Sequence, residues 1–335
     1  MPPNESELAS AATSLQQLRA ALQSVLFGQE ALIDLVLTGL LARGHLLLEG
    51  LPGLGKTELV KGLSKAVGLV SKRVQFTPDL LPGDITGNPL LQETEQGRKF
   101  VFQPGPVFAN LVLADEINRA SPKTQSALLE AMQERRVTVM GETHELPDPF
   151  FVLATQNPIE LEGTYPLPEA QLDRFLFKLD VRATDAATLE RIVLHREIGV
   201  EPLVEHVMDC QRFAELLQLT RTIYMPQPVA NFIARLVQAT QPGEPHASGV
   251  KHGASPRAAL ALAAGSKARA LLDGRANASY EDVRAIAPAV LRHRLILDYG
   301  ARIEGLTTDL VVLRLIEQIP AQDKPLPGTL AAAKI

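Results

Sequence analysis

The segment Gly50-Leu51-Pro52-Gly53-Leu54-Gly55-Lys56-Thr57 constrains this chain more than any other. Two glycines with four residues between them, followed by lysine and a hydroxyl residue, form the pattern of a phosphate-binding loop. The run before it, Leu46-Leu47-Leu48-Glu49, reads as a buried strand. The run after it, Glu58 to Val67, sets Leu59, Val60, Leu63, Ala66 and Val67 at helical spacing. Strand, tight turn and helix are the context that gives the pattern chemical meaning. Gly53 and Gly55 let the backbone turn its N–H groups onto β- and γ-phosphates, and the helix N-terminus adds its positive dipole. Lys56 is placed to pair with the phosphates, and Thr57 to offer its hydroxyl to Mg²⁺.

The chain has 335 residues, enough for two domains and a sizeable core. Its formal net charge of −5 argues against a protein whose main business is coating nucleic acid. A single cysteine, Cys210, rules out an internal disulfide and fits a reducing compartment. It falls in a helical stretch without metal-ligand spacing and is read as structural. Met1 to Ser10 lacks the basic and apolar regions of a secretion signal. Apolar stretches such as Leu35 to Ala42 stop far short of the roughly 20 residues of a membrane span. A cytoplasmic protein without its own anchor is expected.

Residues 14–24 carry helical spacing at Leu15, Leu18, Ala21 and Leu22, and a second helix is expected through about Ala42. Apolar runs at Leu46 to Glu49, Arg73 to Phe76, Leu111 to Ala114 and Phe150 to Thr155 then alternate with helical ones. Such runs predict a parallel sheet covered on both faces. Two segments interrupt the alternation. One spans Leu90 to Phe108, with a turn at Gln96-Gly97 and a strand at Lys99 to Gln103; the other is a hairpin over Arg136 to Leu146. Beyond about Thr184 the pattern is helical alone, with helices at Ala187 to Ile198, Gln211 to Leu219, Pro228 to Ala239, Pro256 to Leu272 and Tyr280 to Leu291. The expected organisation is an N-terminal helical segment (1–24), an α/β domain (25–183), an all-α domain (184–320) and a tail (321–335).

Leu111-Val112-Leu113-Ala114-Asp115-Glu116 is a buried strand ending in two acids, and the carboxyl end of a parallel strand faces the ligand crevice of an open α/β sheet. Asp115 suits a Mg²⁺ ligand opposite Thr57, usually through water. Glu116 is placed to polarise an attacking water as general base. A further strand ends in Ala154-Thr155-Gln156-Asn157-Pro158, where the Asn157 amide offers both a donor and an acceptor to a γ-phosphate and the attacking water.

The order of these blocks resembles an AAA+ ATPase, and their wording resembles its MoxR branch. The resemblance rests on GLPGLGKT, QFTPDLLPGDITG from Gln75, LADEINRASPKTQSALLEAMQE from Leu113, ATQNP from Ala154, LPEAQLDRF from Leu167 and Ala254-Ser255-Pro256-Arg257-Ala258. It runs from about residue 24 to about residue 300. It implies an ATP-hydrolysing P-loop core followed by a smaller all-α lid. Asn157 would then be the sensor-1 residue, Arg174 an arginine finger reaching the ATP of a neighbouring subunit, and Arg257 the sensor-2 arginine. Gly28 and Gln29 would line the adenine pocket. Segments 90–108 and 136–146 would be the helix-2 insert and pre-sensor hairpin, turned toward a ring pore. Arg119 would stand near the interface.

The resemblance further implies a ring, usually a hexamer, that assembles or activates partner complexes, often with a von Willebrand factor A-type protein. Two rival readings remain open at this point. One is an AAA+ motor acting on nucleic acid, against which stand the acidic balance and the lack of an appended DNA-binding module. The other is a binding module in which ATP acts as a switch.

Overall fold

The structure is a computed structural model that describes residues 3–51, 53–94, 97–158, 163–181, 183–197 and 199–321. It divides into two compact units, Asn4–Arg221 and a second one that takes the chain from Thr222 onward. This division lies downstream of the change in composition near residues 181–186. The segment up to Arg221 therefore stays with the α/β unit.

In the first unit, α1 (Glu5–Gln23) and α2 (Glu30–Leu41) lead into β1 (Leu46–Glu49) and α3 (Lys56–Val67). Helix α1 starts well before the expected residue 14. Asn4 accepts from the Glu7 N–H while the Glu7 carboxylate accepts from the Asn4 N–H, a reciprocal cap that fixes the start. Next come β2 (Ser71–Gln75), α4 (Pro82–Thr86), β3 (Gly87–Thr94), β4 (Gly97–Pro104) and β5 (Leu111–Asp115). They are followed by α5 (Pro122–Glu134), β6 (Arg136–Val139), β7 (Glu142–Glu145) and β8 (Phe151–Gln156). The unit closes with α6 (Glu169–Leu172), β9 (Phe177–Asp180), α7 (Ala186–His195) and α8 (Cys210–Thr222).

Five strands form one parallel sheet in the order β2-β5-β8-β1-β9. The three inner strands are buried along almost their whole length, which is why they read as unbroken apolar runs. On one face Val112, Ala114, Val152, Ala154 and Leu47 join Leu128, Leu129 and Met132 of α5 in a continuous core. In α3, Leu59, Val60, Leu63, Ala66 and Val67 are buried, the stripe that its spacing predicts.

Both interruptions are antiparallel hairpins. β3 and β4 pair from Gly87↔Pro104 to Thr94↔Gly97, a longer ladder than expected. Gln96, part of the expected turn, lies outside the described residues. β6 and β7 pair from Arg136↔Glu145 to Val139↔Glu142, turning at Met140 and Gly141, both in the left-handed region. Phe102 of β4 stacks on His144 of β7 with ring centres 4.1 Å apart and planes 14° apart, so the two hairpins touch.

The second unit contains α9 (Gln227–Gln238), β10 (Val250–His252), α10 (Pro256–Leu272), α11 (Tyr280–Leu291), β11 (Ile296–Leu297), α12 (Tyr299–Ile303) and α13 (Thr308–Gln318). Its core gathers Phe232, Leu262, Leu271, Val283, Ile286, Val290, Val312 and Leu315. The expectation of helices alone meets one exception, the short antiparallel pair β10–β11. No helix among the described residues is long and apolar enough to cross a membrane.

Candidate functional site

The carboxyl ends of β1, β5 and β8 lie side by side in the sheet and open onto a cavity of about 750 Å³. Gly50, Gly53, Leu54, Gly55, Lys56 and Thr57 form one wall of it. Gly53 and Gly55 have φ of 81° and 82°, a conformation L side chains rarely adopt. A Cβ at Gly55 would also stand 2.4 Å from Leu26 Cδ1. Gly55 caps α3 without a side chain, which leaves the first-turn N–H groups for an anion. Lys56 Nζ donates to the Gly50 carbonyl at 2.5 Å. Burial pulls the Lys56 ammonium below its ordinary pKa, against the charges of Asp115, Glu116 and Glu49.

Asp115 and Glu116 form the opposite wall. Asp115 Oδ1 accepts from Thr155 Oγ1 at 2.6 Å, and Oδ2 accepts from Arg73 Nη2 at 2.7 Å and Nε at 3.1 Å. Glu116 leaves the strand in the left-handed conformation, with φ 56° and ψ 51°. Its N–H donates to Thr155 Oγ1 at 2.9 Å. Its Oε2 accepts from Gln75 Nε2 at 2.7 Å and pairs with Arg119 Nε at 3.1 Å. Asn157, just past the end of β8, is buried and lines the same cavity.

The far end is more apolar, with Val25, Leu26, Phe27, Leu189, Ile192 and Val200 beside Gln29. Arg196 donates through Nη2 to the carbonyls of Ser24 at 3.0 Å and Val25 at 2.7 Å, and its guanidinium lies 5.1 Å from the Phe27 ring centre. The C-terminal part of α7 is thus tied to the segment before α2.

Of the residues singled out in the sequence, Gly53, Leu54, Gly55, Lys56, Thr57, Gly50, Gln29, Asp115, Glu116 and Asn157 come together around this cavity. Pro52 lies outside the described residues. Leu51 is exposed, and neither it nor Gly28 is among the lining residues. Gly28 instead turns at φ 68° beneath the Thr188 side chain, where a Cβ would meet Thr188 Oγ1 at 2.4 Å. Arg174 lines a separate polar concavity with Glu130, Glu134, Arg136 and Gln171. Its side chain is exposed and makes no hydrogen bond or ion pair among the described residues. Arg257 belongs to the second unit, in the first turn of α10, where its N–H donates to the capping Ser255 hydroxyl at 3.3 Å.

Three site residues were not singled out: Arg73, Gln75 and Thr155. Arg73 and Gln75 share one side of β2, and Thr155 is a buried hydroxyl in an otherwise apolar run. Their importance depends on strand neighbours that a linear pattern does not reveal. The donor set suits Mg²⁺, a hard cation that takes one or two protein oxygens and leaves the rest to phosphate and water. Thr57 and Asp115 line the cavity and would supply such oxygens, and no group of three or more His, Cys, Asp or Glu side chains gathers into an all-protein metal cage among the described residues.

The chain matches known proteins along both units. The ATPase family associated with various cellular activities (AAA) matches residues 45–177, and the AAA lid domain matches residues 246–314. Chaperone MoxR1 of Mycobacterium tuberculosis is 40% identical, covering 99% of this chain and 91% of the relative. Protein MoxR of Methylorubrum extorquens is 31% identical over 88% of this chain and 91% of its own length. A crystal structure from Cytophaga hutchinsonii, assigned as an ATPase, superposes with a TM-score of 0.88 at 37% identity, covering 94% of this chain and 97% of that one. With a phosphate loop, an acid pair and Asn157 around one cavity, and relatives of this extent, the chain belongs to the MoxR family of AAA+ ATPases.

Proposed function

We propose that this protein hydrolyses ATP in a Mg²⁺-dependent reaction and uses the turnover to assemble or activate partner protein complexes. The observation that carries the reading is the acid pair across the cavity from Lys56, with Glu116 turned out of its strand and held by Gln75 and Thr155. In this reading the loop N–H groups and Lys56 bind the phosphates. Thr57 and Asp115 hold Mg²⁺, whose charge offsets that of the phosphates. Glu116 takes the proton of the attacking water, and Asn157 orients that water. Gln29 and the apolar end of the cavity receive the adenine, with Gly28 shaping the wall behind it. Chaperone action is carried over from MoxR1, which bears that name.

AAA+ ATPases form oligomeric rings, and we infer a hexamer for this chain. The exposed guanidinium of Arg174, which has no partner among the described residues, supports action on a neighbour's ATP, since it faces a concavity other than its own nucleotide cavity. Arg257 would act on the γ-phosphate as the lid moves. A von Willebrand factor A-type partner and a cytoplasmic setting complete the proposal.

The experiment is capture of partner complexes on the Glu116→Gln variant loaded with ATP. Retention with ATP and release with ADP is expected; equal capture with both nucleotides contradicts the proposal. The formal net charge of −5 argues against a nucleic-acid motor. DNA added at low salt should leave turnover unchanged, whereas a several-fold rise lost at higher salt would transfer the reading to nucleic acid.

A further inference from the structure

Thr155 is the one hydroxyl in β8, and it is 1% exposed. Burying a hydroxyl is unfavourable unless both its donor and acceptor capacities are used. Here both are, and both partners belong to the acid pair. Its O–H donates to Asp115 Oδ1, and its oxygen accepts from the N–H of Glu116. Glu116 stands in the left-handed region, where residues with a Cβ rarely settle without a local partner. That reversal is what turns the Glu116 carboxylate to Gln75 and Arg119 instead of extending it along β5. Asn157 lies two residues further on at the end of the same strand. β8 therefore delivers Asn157 to the cavity and Thr155 to the neighbouring acids.

We propose that Thr155 is a positioning residue for hydrolysis. Its hydroxyl locks the backbone reversal at Glu116 and, through the same oxygen, the carboxylate of Asp115. Base and metal ligand thus share one buried tether. The inference rests on the reading of Glu116 as general base. Arg73 still holds the other oxygen of Asp115 when Thr155 is altered, so the larger loss falls on Glu116. The effect belongs in turnover and not in nucleotide affinity, because Thr155 hydrogen-bonds to the acid pair and not to the phosphate loop. Displacement of a reacting group by about 1 Å is enough for a loss of roughly 100-fold.

The test compares Thr155→Val, which keeps the volume and removes the hydroxyl, with Thr155→Ser, which keeps the hydroxyl and removes the methyl group. ATP turnover, affinity for a fluorescent ATP analogue and melting temperature are measured for both, beside wild type and Glu116→Gln. Thr155→Val should lose roughly 100-fold in kcat at unchanged nucleotide affinity, and Thr155→Ser should recover all but a few-fold of it. Wild-type kcat in Thr155→Val overturns the proposal. So does equal loss in both variants, because the hydroxyl kept in Thr155→Ser would then do nothing to restore turnover. Should Thr155→Val fail to melt cooperatively, Thr155→Cys replaces it with the same expectation. If Glu116→Gln turns over ATP like wild type, the general-base reading fails by itself, and that result is distinct from either outcome for Thr155.

Discussion

Lys56 Nζ and the carbonyl of Gly50 meet at 2.5 Å, so the lysine closes the loop that carries it. The contact ties the end of β1 to the first turn of α3. Lys56 is half-buried, and its charge is held among Glu49, Asp115 and Glu116. Lys56→Ala should therefore remove both the phosphate partner and the brace across the loop. ATP binding, followed by calorimetry, should fall below detection while the melting temperature changes little. Tight ATP binding by that variant would refute the assignment of the loop.

Arg174 makes a different kind of prediction. Its guanidinium has no partner among the described residues and lies in a concavity separate from the nucleotide cavity. Arg174→Ala should bind ATP as wild type does and lose about 10³-fold in turnover, the scale of a transition-state arginine. Mixing Arg174→Ala with Glu116→Gln subunits should restore part of the activity, because each supplies what the other lacks. Unchanged turnover in Arg174→Ala alone would remove the residue from the reaction.

Much of this arrangement could be read from the linear chain, for a physical reason. β1, β5 and β8 are buried on both faces, so each is a run of apolar residues that turns polar where it reaches the cavity. β9 (Phe177–Asp180) escaped notice because it is an edge strand with alternating burial and only two apolar side chains. Arg73, Gln75 and Thr155 were missed for a related cause. They reach Asp115 and Glu116 only because β2 and β8 flank β5, and strand order is not written in local spacing. Lys56, Asp115 and Glu116 were readable because loop and acids each close a recognisable run.

His45 links pH to stability. It is buried at the start of β1, with Nδ1 accepting from the Val152 N–H at 3.0 Å and Nε2 donating to the Met132 carbonyl at 3.1 Å. The bond from the Val152 N–H requires a neutral ring, and burial lowers its pKa from 6.5 to about 4 against the pull of the Met132 carbonyl. Between those values the unfolded chain binds a proton that the folded protein does not, so stability falls as pH falls. Lowering the pH from 6.5 to 5 should cost about 2 kcal/mol through this group. Chemical denaturation of wild type and His45→Gln over that range checks it. The variant is less stable at pH 7 but should lack this share of the slope, and parallel slopes would count against the account.

The most direct test of the central claim is steady-state ATP turnover by wild type and Glu116→Gln, with nucleotide binding measured on the same preparations. Wild type should release phosphate in a reaction that stops when Mg²⁺ is chelated. Glu116→Gln should bind ATP with equal or higher affinity and turn it over at least about 100-fold more slowly, as expected when a general base is removed. Equal turnover by the two proteins would contradict the account.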